Sequence, residues 1–466
     1  LRESLINNKN LTENGVVIMH PYLPHTDEEI KQMLEEVGVG SLEELFSDIP
    51  QDLILDRDLK MDDSKSEIEL RRIFNELVSR NTCTNSLVCF LGAGAYDHYI
   101  PSIVDFLSSR SEFYTAYTPY QPEMSQGTLQ VMFEYQSMIT ELTGLEVSNA
   151  SLYDGASACA EAAFLASSST RRNKIIVSKT VNPNTIKVLK TYTAAKDIEL
   201  LEVDMKDGQT DYKALKDMLD KDTAAVVIQS PNFFGVIEDI EAVEPAVHKN
   251  KSLLIQSADP LSLAVLKSPG EMGVDIAVGD GQPFGIPLSY GGPYLGYIAV
   301  TKKLMRKIPG RIAGQTVDTE GERGFVLTLQ AREQHIRRHR ATSNITSNQA
   351  LMATRATIYL SALGKEGLKE VATQTAQKAA YAAKELVKTG NYEMMFDKPF
   401  FREFALKSNC NVDKVNKNLL EKRVLGGYNL EQDYPELGSS VLLSVTEKRT
   451  KEQIDNLVKE MGECHV

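Results

Sequence analysis

The sequence predicts an α/β protein built on a large, mostly parallel sheet, with a helical segment before it and a small α+β domain after it. Three observations predict this. Six short Val/Ile-rich runs stand at Lys174–Ser178, Ile198–Val203, Ala224–Gln229, Ser252–Ser257, Val274–Gly279 and Leu295–Val300. Most are separated by amphipathic stretches of helical length, and near-continuous apolar strands alternating with helices indicate a sheet covered on both faces. Residues 348–389 are Ala-rich and helical in pattern, broken near Gly364. The tail from about Phe400 then supplies two strand patterns (FREFALKS, SVLLSVTE) and a helix over Lys451–Glu460.

Ahead of the sheet, Thr26 followed by Asp27, Glu28 and Glu29 is a helix N-cap signature with acids at the positive end of the helix dipole. Two short helices precede a charged linker near Asp56–Glu67, and a third follows over Ser66–Val78. Residues 1–18 are polar and Asn-rich and end just before Met19, so they read either as a leader, with Met19 the initiator, or as a natural disordered tail. The expected division is 1–18 leader, 19–85 helical segment, 86–345 large α/β domain, and 346–466 connecting helix with the α+β domain.

The 466 residues are 42% hydrophobic and 25% charged, the balance of a globular chain long enough to bury a large core without disulfides. The formal net charge of −13 argues against binding driven by nucleic-acid phosphates. No uncharged apolar run reaches the ~18 residues of a membrane span, and no basic-then-apolar signal peptide is visible. A cytoplasmic location is expected. The five cysteines form no CxxC pair, which argues for reduced thiols. Only His335 and His339 are spaced to share a helical face, and with three arginines interleaved they make a poor cation site.

The layout of helical segment, large sheet domain and α+β tail is that of fold-type I pyridoxal-phosphate enzymes, an analogy of fold alone. Such an enzyme needs a lysine for the Schiff base, an Asp at the pyridine nitrogen and a small-residue helix start for the phosphate. Asp154-Gly155-Ala156-Ser157-Ala158, opening an Ala-rich helix, is either that phosphate cradle or an ordinary capped helix start. Asp259, at the end of the SLLIQS strand, is the candidate ring acid. The lysine should follow the next strand, and it does not. That segment reads Gly279-Asp280-Gly281-Gln282-Pro283, with no lysine until Lys302. Gln282 stands where the amine belongs, and an amide cannot form an imine.

Four dense segments narrow the reading. They are Phe90-Leu91-Gly92-Ala93-Gly94-Ala95-Tyr96-Asp97-His98-Tyr99-Ile100-Pro101, the run from Tyr114 to Gly127 (YTAYTPYQPEMSQG), Ser289-Tyr290-Gly291-Gly292-Pro293, and AREQHIRR from Ala331 to Arg338, continued by Ala341-Thr342-Ser343-Asn344-Ile345. Together they resemble the glycine decarboxylase P-protein family of the glycine cleavage system, in the alpha chain (subunit 1) of its two-subunit form. The likeness runs from about Met19 to the C-terminus. It implies a seven-stranded sheet and a homologous beta chain that carries the pyridoxal 5'-phosphate lysine, assembled as α2β2. It also implies the reaction: glycine is decarboxylated and its aminomethyl group passes to the lipoyl arm of H-protein. Gln282 agrees with that division of labour. His339-Arg340 departs from the Glu-Lys usual in relatives at that point.

Among individual residues, Tyr96 and His98 lie in a Gly-rich loop of the kind that lines sites. A histidine with an unperturbed pKa of ~6.5 suits handling of a carboxylate or proton. The steps Thr118-Pro119 and Gln121-Pro122 fix an extended segment, which presents Tyr117, Tyr120, Gln121 and Glu123 either to a site shared between chains or to a purely structural dimer contact. Ser125 and Gln126 are donors expected to reach the cofactor phosphate held by beta. The expected catalytic set is therefore Tyr96, His98, Tyr117 and Glu123, with Ser125 and Gln126 on the cofactor side. Arg332, Arg337 and Arg338 are either a solvated face or a contact for beta or an acidic partner. Two other functions stay open: a stand-alone pyridoxal-phosphate enzyme using another lysine, and a catalytically empty scaffold. The first predicts an imine band from the isolated chain. The second predicts unchanged turnover when Tyr96, His98 or Tyr117 is replaced.

Overall fold

The computed structural model describes residues 22, 24–55, 57, 60–62, 64–345 and 348–463. The proposed leader and Met19 lie outside them, as does Cys464. The chain divides into two units between Asn81 and Thr82.

In the first unit a helix spans Asp27–Val37 and begins as its sequence directs. The Thr26 hydroxyl accepts from the Glu29 backbone N–H, and the Glu29 carboxylate accepts from that of Thr26 at 2.7 Å. Gly38, left-handed at φ 82°, ends it. Ser66 and Glu69 form the same box ahead of Glu67–Ser79. The second short helix expected before the linker is instead two 3-10 turns, Glu43–Phe46 and Gln51–Leu53, separated by Pro50.

The second unit holds the seven-stranded sheet. Its strands are β1 (Val147–Ser148), β2 (Lys174–Ser178), β3 (Glu199–Val203), β4 (Thr223–Ser230), β5 (Leu253–Ala258), β6 (Ile276–Asp280) and β7 (Gly296–Val300). Their order is β1-β7-β6-β5-β4-β2-β3, and β7 alone runs antiparallel to its neighbours. Alternate side chains leave the sheet on opposite faces, and both faces are covered. Ile175, Val177, Val227 and Ile255 pack with the Ala-rich helix Gly155–Thr170, while Ile176, Val226, Ile228 and Leu254 pack with Ile240–Lys249. Small residues bring the first helix close: a Cβ on Gly155 would stand 3.0 Å from the Asp280 backbone nitrogen.

The long helix Ala350–Lys388 breaks where expected, at Gly364 (φ 60°, ψ −173°). Beyond it, Tyr392–Met394, Glu403–Ser408, Ser440–Ser444 and Tyr428–Asn429 form an antiparallel sheet in that order. The helices Val412–Glu421 and Lys451–Gly462 share its core. A short strand at Val88–Cys89 pairs with Val424–Leu425, and the Gly-rich loop after it runs from there to the carboxyl ends of the large sheet's interior strands, where Ala93 meets Asn182 and Tyr96 meets Gln282. An antiparallel hairpin, Ile312–Val317 with Arg323–Thr328, lies against the helix Gln126–Thr143.

Two expectations are corrected. The helix at Gln334 ends at Arg337, and Arg338 turns to φ 53°, so His335 and His339 do not share a helical face. Cys83, Cys89 and Cys159 are free thiols, but Cys410 is disulfide-bonded. Among the described residues, no helix is long and apolar enough to cross a membrane.

Candidate active site

Loops leaving the carboxyl ends of parallel strands form the natural crevice of an open α/β sheet. Here the ends of β4, β5 and β6, the start of the helix Gly155–Thr170, the Gly92–Tyr96 loop and the strand opening at Glu403 enclose a cavity of about 370 Å³. Tyr96, Asp154, Asp259, Asp280, Arg402 and Glu403 all line it.

Arg402 organises the centre. Its Nη2 lies 2.8 Å from the Asp259 Oδ2, its Nη1 lies 2.7 Å from the His98 Nε2, and its guanidinium sits 3.2 Å above the Tyr96 ring. A guanidinium only donates, so the His98 Nε2 accepts. Its Nδ1 then carries the proton and donates to the Glu447 Oε2 at 2.6 Å. The Glu447 Oε1 accepts from the Tyr99 N–H at 2.7 Å. Asp97 adds a second tie, to Lys448 and Arg449, each at 2.8 Å. The Gly-rich loop is thus clamped between the two sheets by buried charge.

Gln282 clamps it again. Its Oε1 accepts from the Tyr96 N–H, and its Nε2 donates to the carbonyls of Tyr96 and Ile286, each at 2.9 Å. The amide serves as a donor and an acceptor at once, which an ammonium cannot do. The Tyr96 hydroxyl donates to the Glu403 Oε2 at 2.8 Å, and the Ala93 N–H to its Oε1 at 2.6 Å. Burial pushes the Tyr96 phenol well above its ordinary range, with the Glu403 charge acting the same way. Burial also lifts the Glu403 carboxyl to about 7, against the pull of Arg402.

The helix start is an ordinary capped one. The Asp154 carboxylate accepts from the Ser157 N–H at 2.7 Å, and the Asp280 carboxylate accepts from the Gly155 N–H at 3.0 Å. Carboxylates therefore stand where a phosphate would approach. Burial raises Asp280 to about 6, although the N–H groups of Gly155, Gln282 and Leu295 pull it down. An amide at the imine position, a ring acid already paired with arginine and acids at the phosphate seat do not fit pyridoxal phosphate. No chemical step through that group is assigned to this chain's cavity.

These two carboxyls, together with Glu161, which burial also lifts to about 7 elsewhere in the large domain, set a pH dependence. Each titrates higher folded than unfolded, so the folded chain holds more protons above about pH 4 and loses stability as pH rises toward about 7. Urea unfolding at pH 5.0 and 7.5 is expected to show a loss of roughly 3–6 kcal/mol at the higher pH, reduced in part in Asp280→Asn. Equal stability at both pH values would count against buried, proton-bearing carboxyls.

The structure brings Tyr96 and His98 together, although His98 sits behind Arg402 and does not line the cavity. Tyr117, Glu123, Ser125 and Gln126 lie on a different surface. Tyr117 is 80% exposed, as is Met124 to a similar degree, and Glu123 is also exposed. Ser125 occupies the N-cap position of Gln126–Thr143 without a side-chain cap bond. The Gln126 amide pairs with the backbone of Phe325, donating at 2.9 Å and accepting at 2.8 Å, and so fixes the extended segment to the hairpin. Sequence reasoning missed Arg402, Glu403 and Glu447. The available signal was an Arg-Glu pair opening an otherwise apolar strand, because buried charges are rare unless paired.

The glycine cleavage system P-protein family model matches residues 20–461. Proteins described as probable glycine dehydrogenase (decarboxylating) subunit 1 are similar over 96% of the chain and 99% of their own length. They are 55% identical in Bacillus licheniformis and 54% in Bacillus subtilis. The crystal structure of a glycine decarboxylase (P-protein) of the glycine cleavage system, in inhibitor-bound form, superposes with a TM-score of 0.87 at 42% identity. That match covers 95% of this chain and 100% of that one. A glutamate decarboxylase from Lactobacillus brevis shares the fold alone, with a TM-score of 0.67 at 14% identity over 92% and 98% of the two chains. The fold is that of fold-type I pyridoxal-phosphate enzymes, and the chain belongs to the glycine cleavage system P-protein family.

Proposed function

We propose that this chain is the alpha subunit of a two-chain glycine decarboxylase. The pair, arranged as α2β2 in the cytoplasm, decarboxylates glycine and transfers the aminomethyl group to the lipoyl arm of H-protein. Pyridoxal phosphate bound to a lysine of beta supplies the electron sink. The observation that carries the reading is Gln282, whose amide is fully engaged with backbone at the imine position. The relatives bear the name subunit 1, which implies a second chain.

Alpha's part is to close the site from across the interface. Its exposed segment carries Tyr114, Tyr117, Tyr120 and Met124, a run of large apolar side chains of the kind that interfaces bury. Gln126 holds that segment to the hairpin, so Tyr117 and Glu123 are presented on a fixed backbone. They orient glycine and keep water from the beta cofactor, and Ser125 completes the wall. His98 and Tyr96 act at one remove, by holding the loop that ends in the exposed Tyr99.

The test is co-expression with a beta chain and assay of glycine decarboxylation with lipoylated H-protein. Tyr117→Ala and Glu123→Gln are expected to lower turnover tenfold or more, about 1.4 kcal/mol of barrier, with Tm unchanged because both side chains are exposed. Full activity from beta alone, or full activity of both variants, would reject the reading.

A further inference from the structure

Arg311 is a buried cation, 4% exposed, with no carboxylate partner among the described residues. Its Nη2 lies 3.2 Å from the Tyr120 hydroxyl, its guanidinium is 5.5 Å from that ring's centroid, and its Nε has no partner. A phenol and a ring face do not replace the solvation of a buried charge.

More unanswered polar atoms gather round the same loop. Arg332 donates from Nη2 to the Gly310 carbonyl at 2.8 Å and from Nε to that of Leu329, while its buried Nη1 has no partner. Asn149 donates to the Pro309 carbonyl at 2.9 Å and leaves its Oδ1 unpartnered. An acid alongside, Glu333, lies 3.7 Å from the His335 Nδ1 and makes no bond to either arginine among the described residues. His335 in turn meets the Tyr120 ring edge-on, with centroids 5.5 Å apart. Two guanidiniums with spare donors therefore flank the turn at residues 309–311, and Arg311 lies under Tyr120, which belongs to the segment that carries Tyr117 and Glu123.

We propose that Arg311, with Arg332 beside it and Tyr120 over it, is the seat of a small oxyanion, a phosphate or carboxylate group. A guanidinium offers a planar fork of donors that matches such groups, and these charge-assisted bonds are the stronger kind. The oxyanion arrives either free in solution or on the second chain, and only the second route rests on the proposed alpha–beta pairing.

The test uses the full chain, alone and with beta. Alone, inorganic phosphate titrated against chloride at constant ionic strength is expected to raise Tm saturably, and Arg311→Met to abolish the rise. In phosphate-free buffer the Met variant should be at least as stable as the parent, since it removes an uncompensated charge. With beta, Arg311→Met should weaken assembly tenfold or more and Arg311→Lys less, the loss shrinking in high salt. A phosphate response assigns the free oxyanion, even if the complex fails to decarboxylate glycine. Phosphate silence with weakened, salt-sensitive assembly assigns the partner-borne one. Phosphate silence with unchanged assembly would overturn the proposal. So would a Met variant destabilised equally with and without beta, because Arg311 would then be structural only. Arg311→Gln carries the same readouts if the Met variant does not fold.

Discussion

Arg402→Leu is expected to destabilise the chain by about 3–5 kcal/mol, the cost of removing one partner from a buried charged set. Arg402 alone neutralises Asp259 within the cavity, and it also fixes the acceptor face of His98 and covers the Tyr96 ring. With leucine, the Asp259 carboxylate loses its cation and the His98 Nε2 loses its donor. Tyr96, still held at its backbone by Gln282 and at its hydroxyl by Glu403, loses the cation over its ring. Urea unfolding measures the effect. A loss below about 1 kcal/mol would mean that the pair is worth no more than a surface ion pair.

Gly235→Ala is the second large effect, about 3 kcal/mol or more. Gly235 has φ 82°, and a Cβ there would stand 1.8 Å from the Glu403 carbonyl oxygen, which belongs to a paired strand and cannot withdraw. Left-handed strain of roughly 1–2 kcal/mol adds to an overpacking cost of about 1–3 kcal/mol. The turn after β4 meets the small domain here: the Phe401 N–H donates to the Gly235 carbonyl at 3.2 Å. Normal stability of this variant in urea would show that the two backbones can separate freely.

Much of the large domain was legible because its strands are buried on both faces and so read as unbroken apolar runs. The kink at Gly364 and the caps at Thr26 and Asp154 were legible for the same local reason: the residues that make them are adjacent in sequence. Strand β1 was not, since two residues carry no periodicity. The hairpin at 312–328 was not either, because its tip is exposed and polar and the turn residues Asp318 and Gly321 read as loop. Gln282 announced a missing lysine. What replaced the cofactor was hidden, because Arg402 and Glu447 reach the Gly-rich loop from more than 300 residues away. Pairing at that separation leaves no trace in local pattern.

The central claim is that this chain's cavity has been rebuilt as a clamp and that pyridoxal phosphate belongs to the partner. The most direct test is an absorbance titration with pyridoxal phosphate, then borohydride reduction and intact mass, on the native chain and on Gln282→Lys. Neither protein is expected to give an imine band or a stoichiometric adduct, because the Lys variant still has Asp259 paired with Arg402 and carboxylates at the phosphate seat. A beta chain in the same assay should give both. A stoichiometric adduct on one lysine of the native chain would contradict the account and make this chain a cofactor-bearing enzyme in its own right.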